Sequence, residues 1–259
     1  MNDTAQPGTI LVTGGASGIG LAVVEAVLAR GWLAAVVDLP GPAIDRLAGR
    51  EGLRATALDV TDEAAVAAEV AAIDQGFGPL RGVVNSAGIA SDVAALATGA
   101  GLFRRTLEVN VLGSFLVARE AARIMRGRGG SIVNIASVSG MKGNEGRVAY
   151  GASKGAVIQM TRVLAVEFAP LGLRVNVVAP GPIETPLVRE VHTPEARASW
   201  VAAVPMRRYG TPEDIAAACV FLLDPAQSGY VTGQTLAVDG GFTIAGIMTG
   251  TAAEANASA

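Results

Sequence analysis

Tyr150 and Lys154 stand in the run Tyr150-Gly-Ala-Ser-Lys154. Four positions apart on a helix they share a face, so a phenol and an ammonium point the same way. A phenol titrates near ~10 and is a poor base at neutral pH. A neighbouring ammonium favours the phenolate and is expected to pull that value down. The pair then suits general acid/base work on an alcohol or carbonyl oxygen. Tyr-x-x-x-Lys by itself is also ordinary helix surface. Its weight comes from Ser137, upstream at the end of the apolar run Ser131–Ala136. A strand there delivers its hydroxyl to the edge of a sheet where ligands bind.

A second constellation lies near the N-terminus. Gly14, Gly18 and Gly20 fall between an apolar run and a helical pattern. A turn this tight needs residues without a Cβ, and it brings backbone N–H groups against a pyrophosphate at a helix N-terminus. The spacing is Gly-x-x-x-Gly-x-Gly rather than the standard Gly-x-Gly-x-x-Gly, and simple helix–strand packing is the alternative. The second apolar run ends in Asp38. A carboxylate there accepts from a ribose hydroxyl pair and repels a 2′-phosphate. Gly15, Ala16 and Leu39 offer that phosphate no cation. NAD(H) is therefore expected over NADP(H). A surface Asp opening a turn before Pro40 is the bland alternative.

These groups need a frame to hold them. Short apolar runs predict strands at Thr9–Thr13, Leu33–Asp38, Leu53–Leu58, Leu80–Asn85, Ser131–Ala136, Arg174–Val178 and Thr235–Val238. Helical patterns predict helices over 18–30, 42–50, 62–75, 102–125, 149–168 and 212–223, with an irregular stretch between the sixth strand and Tyr209. Strands separated by helices imply an α/β fold, a doubly wound seven-stranded parallel sheet covered on both faces. Ligands in such sheets bind beyond the carboxyl ends of the strands.

Composition narrows the classes further. With 51% hydrophobic and 17% charged residues in 259, the chain is a folded globular protein, read as a single domain over 1–259 with a frayed tail over about 243–259. A net charge of −3 supplies no basic field for a nucleic-acid backbone. The one cysteine, Cys219, cannot make an internal disulfide, and the one histidine, His192, excludes sites needing a pair of imidazoles. No metal site is expected. The longest apolar stretch, around Ala216–Leu223, is far short of the ~20 residues a membrane span requires. A cytoplasmic protein is the expectation.

Taken together, these motifs resemble those of the short-chain dehydrogenase/reductase family in its single-domain, Rossmann-fold form, over roughly residues 8 to 242. Thr13 to Gly20 resembles its glycine turn, and Asp59-Val60 its adenine contact. Asn85-Ser-Ala-Gly88 resembles its Asn-Asn-Ala-Gly segment, with Ser86 standing where the family carries a second Asn. Asn110 matches the catalytic-helix Asn and completes a set of four with Ser137, Tyr150 and Lys154. Pro180-Gly181 through Thr185 resembles the nicotinamide-contacting loop, and Thr232-Gly-Gln with Asp239-Gly-Gly the C-terminal signature. The resemblance implies cofactor contacts at Gly14, Ser17, Gly18, Ile19, Gly20, Asp38, Asp59, Val60, Asn85, Ala87, Gly88, Tyr150, Lys154, Pro180, Gly181, Ile183 and Thr185. It implies Tyr150 as acid in reduction and base in oxidation. It further implies Lys154 tuning that group and bonding the nicotinamide ribose, Ser137 orienting the substrate oxygen, and Asn110 holding a water between Lys154 and solvent.

Substrate recognition is expected from Ala87–Val93, Val138–Val148 and Ile183–Tyr209. Asn144 and Glu145, with Ser137 and Tyr150, are candidates to meet hydroxyls of a polyol or sugar; solvated loop residues are the even alternative. Over 183–209, Leu187, Val188, Trp200, Val201 and Val204 offer apolar cover, Arg189 and Arg197 could meet an anion, and solvent is favoured over substrate for His192. The leading function is NAD-dependent oxidation or reduction at a secondary alcohol or ketone. The runner-up is a 3-oxoacyl thioester reductase, disfavoured by Asp38; a non-catalytic NAD-binding scaffold is disfavoured by the intact set of four. The expected assembly is a homotetramer. Its basis is the apolar stripes Val157, Met160, Leu164, Phe168 and Leu112, Phe115, Leu116, plus small residues Gly113, Ala118, Ala121, Ala152, Ala156 and Ala165 that let helices approach.

Overall fold

Alternation along β1 (Thr9–Thr13) shows how the sheet is covered: Ile10 and Val12 face one layer of helices, Leu11 faces the other, and all are buried. The computed structural model describes residues 8–185, 188 and 192–248. Within them β2 (Leu33–Asp38), β3 (Leu53–Ala57), β4 (Leu80–Asn85), β5 (Gly130–Ile135), β6 (Leu173–Pro180) and β7 (Thr235–Val238) join β1 in one parallel sheet. The order is β3-β2-β1-β4-β5-β6-β7. Because both faces are covered, the strands carry near-continuous apolar residues, as expected of a doubly wound sheet.

One face packs on α1 (Gly18–Leu28), α2 (Pro42–Asp45) and Pro212–Leu223, through Val23, Val24, Ile44, Ile215, Cys219 and Leu222. The opposite face packs on α3 (Glu63–Gly76), α5 (Ser114–Met125) and α6 (Val148–Phe168), through Val66, Ile73, Leu116, Met125 and Leu164. Cys219 is a fully buried small hydrophobe whose thiol burial pushes up to about 12. Local chemistry sets the helix starts. Asp62 accepts from the Ala65 N–H at 3.0 Å, and Thr211 with Asp214 forms a reciprocal cap behind Pro212.

The helix expected over 42–50 ends at Asp45, and two other elements depart from expectation. The single helix over 102–125 is α4 (Ala100–Leu107), a turn of π-helix (Glu108–Gly113) and α5. The extra residue in that turn is accommodated by side-chain bonds and close packing. Asn110 reaches across to Ile89, the Ser114 hydroxyl takes the Asn110 carbonyl at 2.9 Å, and Gly113 lies against Val60. Such insertions cluster at functional sites. The stretch called irregular contains α7 (Pro194–Ala203), ahead of α8 (Pro212–Leu223) and α9 (Pro225–Ser228). Its start signal was legible: Thr193 caps Ala196 with Pro194 at the first position. Leu187, Arg189 and the tail beyond 248 lie outside the described residues. No helix among the described residues is long and apolar enough to cross a membrane.

Candidate active site

The strand order reverses between β1 and β4, and the carboxyl ends of strands diverging there leave a crevice. Thr13 closes its floor, its hydroxyl accepting from the Ser86 and Ala87 N–H groups, both at 3.1 Å. Ser86, where the family carries Asn, is thus held through its backbone. The glycine turn sits on this floor. A Cβ on Gly20 would lie 2.1 Å from the Gly14 carbonyl oxygen, so α1 approaches the turn closely only with glycine there. Gly14 has φ +62° and would clash with Ala87 at 2.8 Å. The α1 first turn carries no acidic residue and Ser17 makes no capping bond, so the positive end of α1 faces the crevice.

Asp38 ends β2 beside this turn. Its oxygens accept from the Ala16 N–H at 3.0 Å and the Leu39 N–H at 2.8 Å, which leaves further lone pairs for a diol. Farther along the wall, the Thr61 N–H and hydroxyl, then Arg105, hold Asp59 below the usual carboxylate range. Arg105 in turn bonds Glu108 at 3.0 Å and Asp59 at 3.4 Å.

The crevice opens into a cavity of about 720 Å³. It runs from Asp38, Leu39 and Leu58–Val60, past the glycine turn, to Ser137, Tyr150 and Lys154 and on to His192 and Trp200. Its volume and its groups fit a dinucleotide: a carboxylate for ribose, a cradle of N–H groups for pyrophosphate, and Pro180–Ile183 with Thr185 along the wall, Thr185 packed beside Gly18. Ile19, Gly18, Ala87 and Gly88 also line it.

Ser137 follows β5, and its oxygen accepts from the Ser139 N–H at 3.1 Å. Tyr150 and Ser137 both line the cavity, near enough for the Ser137 hydroxyl to favour the phenolate. Lys154 is buried and donates to the Ile135 carbonyl at 2.9 Å, with its nitrogen 5.7 Å from the Tyr150 ring centre. The expected downward pull on the phenol is overturned. Burial pushes Tyr150 above its ordinary value, against the opposing effects of Ser137 and Arg147, and lowers Lys154 to about 8. Desolvation disfavours each charged form, so at neutral pH Tyr150 holds its proton and Lys154 remains mostly ammonium.

Some candidates sit behind the cavity rather than in it. Asn110 is fully buried, accepts from the Ile89 N–H at 2.8 Å, and donates to the Ile89 carbonyl and Ser153 hydroxyl, each at 2.9 Å. It positions the backbone next to Gly88, where a Cβ would come within 3.5 Å of the Lys154 nitrogen. Asn85 is also off the wall. It ties β4 to α5 and β5 through the Ser114 carbonyl at 3.1 Å and Asn134 at 2.8 Å, and Asn134 continues to Thr161 at 2.8 Å. Asn144 and Glu145 are not brought to the cavity; Asn144 is occupied with the Ser139 hydroxyl at 3.0 Å, and Glu145 is exposed.

His192, expected in solvent, is instead a cavity wall. Its Nδ1 meets the Tyr209 hydroxyl at 2.9 Å and its ring stacks on Trp200 at 6.3 Å, while burial lowers its basicity. The clue lay in the same segment: Trp200 and Tyr209 follow it in a loop otherwise poor in aromatics. Val188 and Trp200 supply apolar cover, whereas Val204 is buried beneath with Val138 and Phe242. Arg197 pairs with Glu184 and covers the Tyr209 ring at 4.6 Å. The pair Asp92–Arg147 lines the cavity beside Tyr150, and no motif announced it.

Known proteins share this layout. A family model described as enoyl-(acyl carrier protein) reductase matches residues 14–243. The galactitol 2-dehydrogenase (L-tagatose-forming) of Cereibacter sphaeroides is 45% identical over 240 residues, 90% of this chain and 94% of that protein. The 2-(S)-hydroxypropyl-CoM dehydrogenase 3 of Xanthobacter autotrophicus is 38% identical over 254 residues, 94% and 99% of the two chains. A solved structure of ElxO with NADP bound superposes with a TM-score of 0.87 at 32% identity, covering 93% of this chain and 100% of that one. The family match spans both the residues that line the cavity and those that only build the sheet beneath it, and on that breadth the chain belongs to the short-chain dehydrogenase/reductase family.

Proposed function

We propose that the protein moves a hydride between NAD(H) and a small secondary alcohol or ketone, with Tyr150 as the acid/base. The observation that carries this reading is the convergence of Tyr150, Ser137 and Lys154 on one dinucleotide-sized cavity, with the Lys154 nitrogen 5.7 Å from the Tyr150 ring centre. The nicotinamide cofactor, when bound, supplies or accepts the hydride. In reduction, Tyr150 gives its proton to the carbonyl oxygen while the Ser137 hydroxyl donates to the same atom and orients it. In oxidation, Tyr150 acts as the phenolate, held by the charge of Lys154, and becomes the neutral phenol as it takes the proton from the alcohol. Asn110 keeps the Ile89 backbone and hence the Gly88 wall in register. Incubating the protein with secondary alcohols and NAD+ should raise absorbance at the NADH band; no reduced cofactor from any alcohol, with NAD+ or NADP+, would refute the reading.

The pH dependence follows from the burial of Tyr150 and Lys154. The two share one face of α6; burial raises Tyr150 and lowers Lys154 to about 8. Oxidation needs the pair to have lost one proton, so its kcat/KM should climb as pH rises towards about 8 and level off above. Reduction needs that proton present and should fall over the same window. Stability moves with oxidation: a lysine lowered by burial is penalised while protonated, so folding strengthens as pH rises from about 8 towards the unfolded value. A flat oxidation profile from pH 6 to 9 would contradict this assignment.

A homotetramer remains part of the reading, on a smaller surface than the sequence suggested. Gly113, Ala118, Ala121 and Ala165 are buried in the protomer's own core, as are Val157, Leu164 and Leu116. What α6 and the turn before α5 present outward is Ala152, Val163, Val166 and Leu112, with Val166 at 76% exposure. Two-fold pairing would cover this apolar strip. Light scattering at micromolar concentration should give about four times 26.1 kDa, and a clean monomer mass would exclude it. The buried, unpaired thiol of Cys219 suits a reducing compartment, and the cytoplasm is the proposed location.

A further inference from the structure

We infer that Asp92 and Arg147 form a charge-neutral recognition wall that selects alcohols carrying further hydroxyl groups next to the reacting carbon. This rests on the dehydrogenase reading and names its substrate class. Both side chains line the cavity and are paired through Arg147 Nε and Asp92 Oδ1. The Arg147 guanidinium lies 5.5 Å from the Tyr150 ring centre. Both charges are felt at Tyr150 and again at His192, so the pair lies within electrostatic reach of both.

The pair is built in rather than draped on the surface. The Val93 N–H donates to the Gly146 carbonyl at 2.9 Å, and Val93 and Arg147 form an isolated parallel bridge. The Thr98 hydroxyl holds the Val93 carbonyl at 3.2 Å, and the Arg147 carbonyl accepts from the Gly151 N–H in the first turn of α6. The segment after β4 and the segment before α6 are thereby joined, with one charge on each side of the seam. The Arg147 side chain is 16% exposed and that of Asp92 is 52% exposed. Nε is committed to Asp92, and among the described residues the terminal guanidinium nitrogens have no further partner.

The chemistry of the wall favours one kind of ligand. A hydroxyl both donates and accepts, so adjacent hydroxyls can give a proton to Asp92 and take one from Arg147. An apolar chain would strip water from both charges and return no hydrogen bond. An anionic substituent would find the guanidinium already paired and a carboxylate beside it. Trp200 and Val188 close the far side with apolar surface and add no competing charge.

Steady-state oxidation of length-matched compounds tests this: galactitol, 2-hexanol and 3-hydroxyhexanoate, with the unmodified protein, Asp92→Ala and Arg147→Gln. The unmodified protein should favour galactitol over 2-hexanol by about tenfold or more in kcat/KM. Each variant should lower that ratio by about tenfold, mainly through the galactitol KM. A parallel loss on both alcohols would make the pair merely structural and overturn the inference. A preference for 3-hydroxyhexanoate that disappears in Arg147→Gln would also overturn it, in favour of an anion receptor. The substrate ranking of the unmodified protein stands even if a variant fails to fold, and a preference for 2-hexanol there overturns the inference while leaving the dehydrogenase reading intact. No turnover of any of them with NAD+ or NADP+ would sink both.

Discussion

Tyr150→Phe is expected to lower turnover by about a thousandfold while leaving NADH binding nearly unchanged. The substitution removes one oxygen and keeps the ring, so the packing of Arg147 over that ring at 5.5 Å can persist. What is lost is the hydroxyl that shares the cavity with Ser137 and Lys154. Proton transfer by a positioned group is worth roughly a hundred- to ten-thousandfold, and a thousandfold corresponds to about 4 kcal/mol of barrier. The glycine turn and Asp38, which would hold most of the cofactor, lie along the crevice and are untouched by the change. Absorbance at the NADH band measures kcat, and quenching or enhancement of NADH fluorescence measures binding. A Phe variant with most of its turnover would show that another group supplies the proton, and the assignment of Tyr150 would fail.

The second large effect concerns cofactor choice. NAD+ should be preferred to NADP+ by about a hundredfold in kcat/KM, because a 2′-phosphate would be brought against the Asp38 carboxylate. Gly15, Ala16 and Leu39 flank it and carry no charge, and Arg105, a cation at that end, is held by Glu108 and Asp59. Asp38→Ala should bring the ratio close to parity. Its absolute KM for NAD+ should rise as well, since the carboxylate also accepts from the Ala16 N–H at 3.0 Å and so steadies the glycine turn. The ratio, not either KM, is therefore the diagnostic quantity. ElxO, similar to this chain over its whole length, has NADP bound, so the family's frame does not impose NAD. Equal use of both cofactors by the unmodified protein would remove Asp38 as the selector.

The placement of Tyr150, Lys154 and the glycine turn in one cavity was legible because each is a local motif with fixed spacing. Tyr150 and Lys154 sit one helical turn apart on α6, and Gly14 and Gly20 of the first turn are forced by backbone contact. Strand positions were legible for the same reason: double coverage turns each strand into an apolar run with polar ends. The residues that were misplaced are those whose position depends on a distant partner. Nothing near Asn110 in the chain signals a π-turn; its cause is Ile89 and Ser153, brought alongside by the fold. Asn85 resembles a cavity residue by its neighbours, yet Asn134 and Ser114 turn it into the core. Asn144 and Glu145 precede Tyr150 closely, but the loop turns them outward and presents Arg147 instead.

The sequence by itself determined the sheet, the crevice at its switch point and the chemical groups delivered there, since periodicity, glycine sterics and helical spacing are properties of short segments. Tertiary structure alone decided the electrostatic state of those groups and the far wall of the cavity. The phenol of Tyr150 is raised, not lowered, because burial is a property of the assembled fold that no local motif encodes. Asp92, Arg147 and His192 come from separate stretches of chain, and only the packing of those loops over the strand ends brings them to one cavity.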